Sequence, residues 1–408
     1  MLDNLNNDDV SRLVSNYFSP SASIRSPERL IGREKYLRRI RRAIASPGRQ
    51  IFIHGERGVG KSSIALTAGY EHNVSRYEPI LLTCGENTSF ESLIRSLGRE
   101  VVDVEKRFQS TGRETTAGFN LPEIGAVFSH KPGPPIDISE PKTIADALEI
   151  VRFVESARSS PTIVIVDEFE RIASEAERKK FAEFIKAIPE LETQIRFIFC
   201  GIGASVDELL GAHPSAGRVI ETIEVEKLNH DYLWQIITTV TDSVSVNISE
   251  DFLKRVSMLS DGFPHYIHLI GEQLLWSFFD DPDVVTDCST MHMRSSVKGA
   301  LERAEHVLRQ AYTRATEKTK HTRTYEHALW CLAHNNSTRR QLGEIFDNSY
   351  QKLARALRLD DDQVLTREAF GRRLWALSKD SHGAIVKAHG SGWYSLRENV
   401  LRGYIRLV

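Results

Sequence analysis

The chain has 408 residues, 41% hydrophobic and 26% charged. This is a globular balance that excludes disordered and fibrous classes, and the length suits two or three domains. Lys and Arg number 53 against 55 Asp and Glu, a formal charge of −2, so any nucleic-acid contact must rest on a local patch rather than a global basic field. No apolar run approaches ~18 residues, so no membrane span and no membrane partner are expected.

Residues 1–28 are polar, rich in Asn, Asp and Ser, and read as a weakly ordered lead-in. A helix is expected after Gly32 on Leu37, Ile40 and Ile44, then a buried strand at Gln50-Ile51-Phe52-Ile53-His54. Ser62 to His72 continues as helix, Glu78 to Cys84 as strand and Phe90 to Phe108 as helix. The stretch 109–140 breaks this rhythm with Gly112, Gly118, Gly125, Gly133 and four prolines, and reads as an insertion with a hairpin around Gly118 to Ser129. Regular alternation then resumes. Helices are expected over Ile144 to Ala157 and Ala176 to Ile188, and strands over Thr162 to Val166, Ile195 to Cys200 and Val219 to Val225. Such alternation predicts βαβ units and a parallel sheet covered on both faces. Residues 228–320 read as helices broken at Asp261-Gly262 and Asp280 to Pro282. In 321–408, helices are expected at Tyr325 to Ala333, Arg339 to Phe346, Tyr350 to Leu357 and Thr366 to Ser378. A hairpin follows through Ala384 to Ala388, Gly390-Ser391-Gly392 and Trp393 to Leu396. The boundaries expected are thus 1–28, 29–227, 228–320 and 321–408.

Cys84, Cys200, Cys288 and Cys331 are far apart, which excludes a Cys-x-x-Cys metal pattern and fits a reducing compartment. The start Met1-Leu2-Asp3-Asn4 is too polar for a signal peptide, so a cytoplasmic protein is expected.

Gly55-Glu56-Arg57-Gly58-Val59-Gly60-Lys61-Ser62 fits the pattern Gly-x-x-x-x-Gly-Lys-[Ser/Thr], placed after a strand and opening a helix. Glycines let backbone N–H groups close around an anion, and the helix N-terminus adds partial positive charge. Gly55, Gly58, Val59, Gly60, Lys61, Ser62 and the adjoining Ser63 are therefore the expected ATP cradle. Lys61 would reach the β- and γ-phosphates and Ser62 would ligate Mg2+. Asp167-Glu168 ends the strand Thr162 to Val166, near the crevice where open α/β sheets bind ligands. Asp167 would hold Mg2+ and Glu168 would polarise the attacking water. An acidic pair at this place also suits a solvated helix start.

With these two motifs and the helical segment behind the fifth strand, residues 29 to 408 resemble an AAA+ ATPase of the initiator and signal-transduction branches. The resemblance implies a P-loop AAA+ parallel sheet covered by helices, then a helical lid, then a winged helix. It implies that Leu30-Ile31-Gly32-Arg33-Glu34 packs near the adenine, giving Arg33 a binding role. It also implies that Gly211 to Arg218 carries an arginine finger, Arg218, serving a neighbouring subunit in a homo-oligomer with shared ATP sites. Two features depart from the pattern. The fourth strand ends Phe199-Cys200-Gly201 without the usual polar residue. The lid carries Gly262-Phe263-Pro264-His265 where an arginine is common, making His265 a candidate phosphate contact. The implied winged helix places Arg367, Arg372, Arg373 and Lys379 on or beside its recognition helix, a basis for duplex DNA binding; contact with a protein client is the alternative. The expected function is an ATPase coupling ATP to assembly on, or remodelling of, a DNA or DNA–protein complex, with a signalling ATPase that gates a protein partner as the other reading. A small-molecule kinase would leave Glu168 and the helical tail without a role.

Overall fold

The computed structural model describes residues 6–72, 77–110, 128–129, 137–158, 161–212, 217–303, 306–317, 321–335, 337, 339–397 and 400–407. The chain forms two compact units, one of residues 23–56 and 60–226, the other of 1–22, 57–59 and 227–408.

From Asn6 on the N-terminal segment is folded, where the sequence suggested a weakly ordered lead-in over 1–28. Helix α1 (Asn7–Tyr17) starts at a capping box, in which Asn6 accepts from the Asp8 and Asp9 N–H groups and the Asp9 carboxylate accepts from Asn6 N–H. Polar composition concealed two anchors, Val10 and Phe18, which are buried at 0% and 3% exposure.

The first unit is a layered α/β domain. Its elements are α2 (Glu34–Ile44), β1 (Gln50–His54), α3 (Lys61–His72), β2 (Ile80–Thr83), α4 (Phe90–Ser110), β3 (Phe128–Ser129), β4 (Asp137–Ile138), α5 (Ile144–Arg158), β5 (Thr162–Asp167), α6 (Glu175–Ala187), β6 (Ile195–Gly201), α7 (Gly203–Ala212) and β7 (Ile220–Glu224). Five strands form a parallel sheet in the order β2-β5-β6-β1-β7. Ile163 to Val166 are buried throughout, as expected for a strand covered on both faces. α6 begins at Ser174, whose hydroxyl accepts from Glu177 N–H, and gives way at Pro189 to a short 3-10 turn. Under the C-terminal ends of the strands lies an aromatic core. Phe169 meets Phe52, Phe181 and Phe199 edge to face, a geometry favoured by ring quadrupoles.

Of the 109–140 insertion, 111–127 and 130–136 lie outside the described residues, and with them most of the hairpin expected at Gly118 to Ser129. Its described part pairs β3 antiparallel with β4, Phe128 opposite Ile138. Ile138 is buried against Gly98 of α4, where an added Cβ would lie 2.6 Å from Ile138 Cδ1.

The second unit continues with α8 (His230–Ser243), α9 (Glu250–Ser260), α10 (Pro264–Phe279), α11 (Thr290–Arg303) and α12 (His306–Thr316). α10 is the hub, packed on α8, α9, α11 and α1. Phe18 fits against Gly271 of α10 so closely that an added Cβ would sit 2.3 Å from its ring.

Then come α13 (Thr322–Ala333), β8 (Arg340–Gln341), α14 (Leu342–Ile345) running through a π turn into α15 (Gln351–Ala356), α16 (Arg367–Leu377), β9 (Val386–Ala388), β10 (Trp393–Leu396) and α17 (Val400–Leu407). Helices followed by the antiparallel sheet β8-β10-β9 make a winged helix. Residues 340–341 are strand rather than the expected helix, because they pair with Trp393 and Tyr394; long-range pairing overrides local propensity. The wing turns at Gly390, Ser391 and Gly392, all with positive φ.

A buried charge knot closes this unit. Asp261, the left-handed C-cap of α9, takes Lys227 at 2.6 Å and the α17 guanidiniums of Arg402 and Arg406 at 3.5 and 3.0 Å. Its side chain is 3% exposed. Burial lowers the Arg406 pKa and Asp261 draws it back up.

Candidate nucleotide site

β1 delivers the backbone into a loop that needs glycine. At Gly55, φ is +150° and an added Cβ would lie 2.4 Å from the Val225 carbonyl oxygen. Gly58 and Gly60 also take positive φ, +84° and +96°, so successive N–H groups can turn inward as no chain of side-chain-bearing residues would allow. Val59 between them is fully buried. α3 starts at Lys61, which brings a helix N-terminus to the same spot. Lys61 is 9% exposed, and its ammonium donates to the carbonyls of Gly55 at 3.1 Å and Glu56 at 2.9 Å. Ser62 lies half-buried in the first turn.

Ser63 has a backbone partner. Its hydroxyl accepts from Ile24 N–H at 3.1 Å, while Thr67 donates to the Ile24 carbonyl at 3.1 Å. The two hydroxyls dock the chain at Ile24 onto α3, a role no motif announced. Arg33 is likewise engaged. It is 4% exposed, donates to the Glu226 carbonyl at 2.7 Å and lies over the Tyr36 ring. Burial lowers its pKa, with Tyr36 and Glu226 opposing. The Gly32-Arg33-Glu34 segment is thus clasped to the end of β7.

β5 brings up the acids. All sheet strands are parallel, so β1 and β5 end on the same edge. One strand, β6, separates them, placing their ends about 10 Å apart at the usual strand spacing. Asp167 Oδ1 accepts from Glu168 N–H at 2.9 Å. Glu168 takes a left-handed backbone, φ 56° and ψ 38°, uncommon for a residue other than glycine and frequent at functional sites. Its carboxylate pairs with Arg171 at 2.6 Å. Beside them, burial and the neighbouring Asp167 push the Cys84 thiol up to about 12, which makes it a packing residue and no nucleophile.

Arg218 is exposed, just before β7, and makes no hydrogen bond or ion pair among the described residues. The preceding 213–216 lie outside them. His265 belongs to the other unit, in the first turn of α10. Its Nδ1 is 2.8 Å from the Pro20 carbonyl, so Nδ1 carries the proton and donates.

The cradle, the lysine and the acids at one sheet edge fit a nucleotide with Mg2+. Ser62 and Asp167 would hold the ion, which suits Mg2+ because it takes few protein ligands and the rest from phosphate and water. Residues 29–198 match the family model described as the AAA ATPase domain. This region is similar to AAA ATPase domains. A Walker-type ATPase of Pyrococcus abyssi has a similar structure, at TM-score 0.55 and 17% identity over 95% of this chain and 99% of that one. Cdc6p of Pyrobaculum aerophilum follows at TM-score 0.45 and 14% identity, over 96% of this chain and 98% of that one. Orc1 of Aeropyrum pernix, solved with DNA, stands at 0.42 and 14%, over 93% of this chain and 94% of that one. No curated protein matches the sequence. The likeness to the Pyrococcus protein is one of fold, and it extends over residues of both units. No helix among the described residues is long and apolar enough to cross a membrane.

Proposed function

We propose that this protein binds ATP with Mg2+, hydrolyses it, and couples the cycle to assembly on, or remodelling of, a DNA complex. The observation that carries the first part is the glycine-turned loop closing on Lys61, with Glu168 at the same edge of the sheet. Lys61 would leave its two carbonyls for the β- and γ-phosphates, Ser62 and Asp167 would hold Mg2+, and Glu168 would orient a water toward the γ-phosphorus. Mg2+, when bound, neutralises charge on the phosphate oxygens. Arg218 would complete the site of a neighbouring subunit, which makes the working form a homo-oligomer.

The expected result for Glu168→Gln is ATP binding like the parent and turnover reduced by about a hundredfold or more, because an amide keeps the shape but cannot take a proton from water. Calorimetry and phosphate release measure the two arms. Parent-level hydrolysis would remove Glu168 from the mechanism.

The DNA half rests on α16. Its outer face carries Glu368, Arg372 and Trp375, all exposed, and the exposed Lys379, two residues beyond its end, brings Nζ 4.1 Å from the Trp375 ring centroid. Arg373 is committed inward, to the Thr324 hydroxyl and the Tyr325 ring of α13. The exposed Trp375, at 55%, favours the alternative of a protein client, since Trp and Arg dominate protein interfaces. Salt decides between them. Duplex DNA binding by the parent should weaken steeply with salt, and replacing Arg372 and Lys379 by Ala should flatten the slope by about 0.9 per lost phosphate contact. If the parent binds duplex DNA with no salt dependence, or not at all, the winged helix contacts protein.

A further inference from the structure

We propose that the outer face of α2 is a contact surface for the phosphate backbone of duplex DNA, separate from the winged helix. Only the identity of the ligand rests on the DNA reading above. α2 packs inward on Tyr36, Leu37, Ile40, Ala43 and Ile44, all buried. At about 3.6 residues per turn, this leaves Lys35, Arg38, Arg39, Arg41 and Arg42 on the outer side, and all of them are exposed. Arg38 and Arg42 run along its middle, with Lys35 and Arg39 on one flank and Arg41 on the other. The flanking cations lean away to acids of neighbouring segments. Lys35 reaches Glu226 at 3.1 Å, Arg39 reaches Glu221 at 2.7 Å and Arg41 reaches Glu71 at 3.0 Å. The guanidiniums of Arg38 and Arg42, on the crest, make no hydrogen bond or ion pair among the described residues.

The helix gains nothing from this arrangement, because like charges four residues apart repel. Glu34, the acid of α2, turns back to accept from Gly32 N–H. The whole chain is close to neutral, at −2, so the crest is a local concentration of positive charge. Its chemistry selects the ligand. A guanidinium is a planar fork that matches the oxygens of a phosphate or carboxylate. Protein interfaces are anchored by aromatic and apolar side chains, a membrane-lying helix needs a free apolar face, and single strands are held by stacking on aromatic rings. The outer face of α2 offers none of these, since Tyr36 and the large apolar side chains are turned into the core. The closely spaced phosphates of a duplex ask only for positive charge held in place, and such a contact is independent of base sequence.

Titration of the full chain with duplex DNA over a series of salt concentrations tests this. In Arg38→Ala with Arg42→Ala, the fall of log affinity with log salt should be shallower by about 1.8, or about 0.9 for each lost phosphate contact. ATP affinity and Tm should stay at the parent values, since alanine is the best helix former. Arg38→Lys with Arg42→Lys keeps both charges and should keep the parent slope. The loss should be equal for unrelated duplex sequences, and should add to that of Arg372→Ala with Lys379→Ala, because distant sites act independently. A parent slope in the alanine variant overturns the crest. If the winged-helix variant has meanwhile lost its own share, the DNA reading stands without α2. A parent slope together with lost binding of poly-glutamate gives the crest to an acidic protein segment and likewise overturns the proposal. A parent chain that binds no duplex DNA fails the DNA reading itself, and the ligand assigned to the crest falls with it.

Discussion

Arg218→Ala should bind ATP like the parent chain and hydrolyse it about 10³- to 10⁵-fold more slowly, the range for a finger supplied in trans. The motivation is its placement. An arginine that served its own fold would be found holding a carbonyl or a carboxylate, as Arg33 and Arg402 are. Arg218 is exposed at the entry to β7 and has no such bond among the described residues. Under the proposed function it would reach the γ-phosphate of the next subunit, where charge builds up during transfer. Complementation then distinguishes a shared site from a private one. Mixed with Lys61→Ala, the Arg218→Ala chain should regain turnover, because some interfaces in the mixture pair an intact loop with an intact arginine. Two inactive chains that stay inactive together, in an assembly shown to exchange subunits, would place Arg218 in its own subunit's site or outside catalysis. A protein that sediments as a monomer with every nucleotide would remove the shared site altogether.

Asp261→Ala should lower the stability of its unit by about 3 to 5 kcal/mol, the cost of taking one partner from a buried ion pair. Three cations converge on this single carboxylate, and its own side chain is 3% exposed. Removing it leaves Arg402, 2% exposed, and Arg406, 9% exposed, facing each other without their counter-charge. Alanine also sits poorly at the left-handed φ of 50°. Asp261→Asn controls for this, since asparagine tolerates that backbone while losing the charge. Urea unfolding is the measurement. A shift below ~1 kcal/mol for Ala would mean that the knot contributes no more than a surface pair.

How far the sequence carries depends on whether information is local. The β5 run and the loop at Gly55 to Ser62 were legible because both are contiguous and each residue type has one reason to be there. β-branching marks a strand buried on both faces, and glycines mark a backbone turned toward an anion. The structure turns the loop at the expected glycines and begins α3 at Lys61. What escaped was non-local. Asn6 and Asp9 form a cap, yet the burial of Val10 and Phe18 depends on α10, far along the chain. Arg340 fell in a stretch expected to be helix, Arg339 to Phe346; it is 1% exposed in β8, bonded to the Cys331 carbonyl and to Glu344. Ser63 was expected at the nucleotide, and its hydroxyl also holds Ile24, a contact the sequence did not announce because a hydroxyl near the loop says nothing about which backbone will reach it. Arg171 lies three residues after Glu168, and that spacing acquires meaning once the turn is known to be 3-10. Asp261 looked like a helix break, and its three cations come from residues 227, 402 and 406.

The fit of Phe18 into the space left by Gly271 has a consequence for how the protein is made. The strap that carries Phe18 leaves the ribosome roughly 250 residues before its seat on α10, a delay of about 10 to 50 s at 5–20 residues per second. Residues 23–56 and 60–226, which complete their own unit in that interval, can fold around their sheet meanwhile. The strap cannot. It must wait, with its apolar side uncovered, until α10 has been made. Closing the second unit is therefore a late, long-range event in biosynthesis, and contacts of such high sequence separation form slowly. A newborn chain would be open to chaperones and proteases at its first helix long after its nucleotide loop had taken shape.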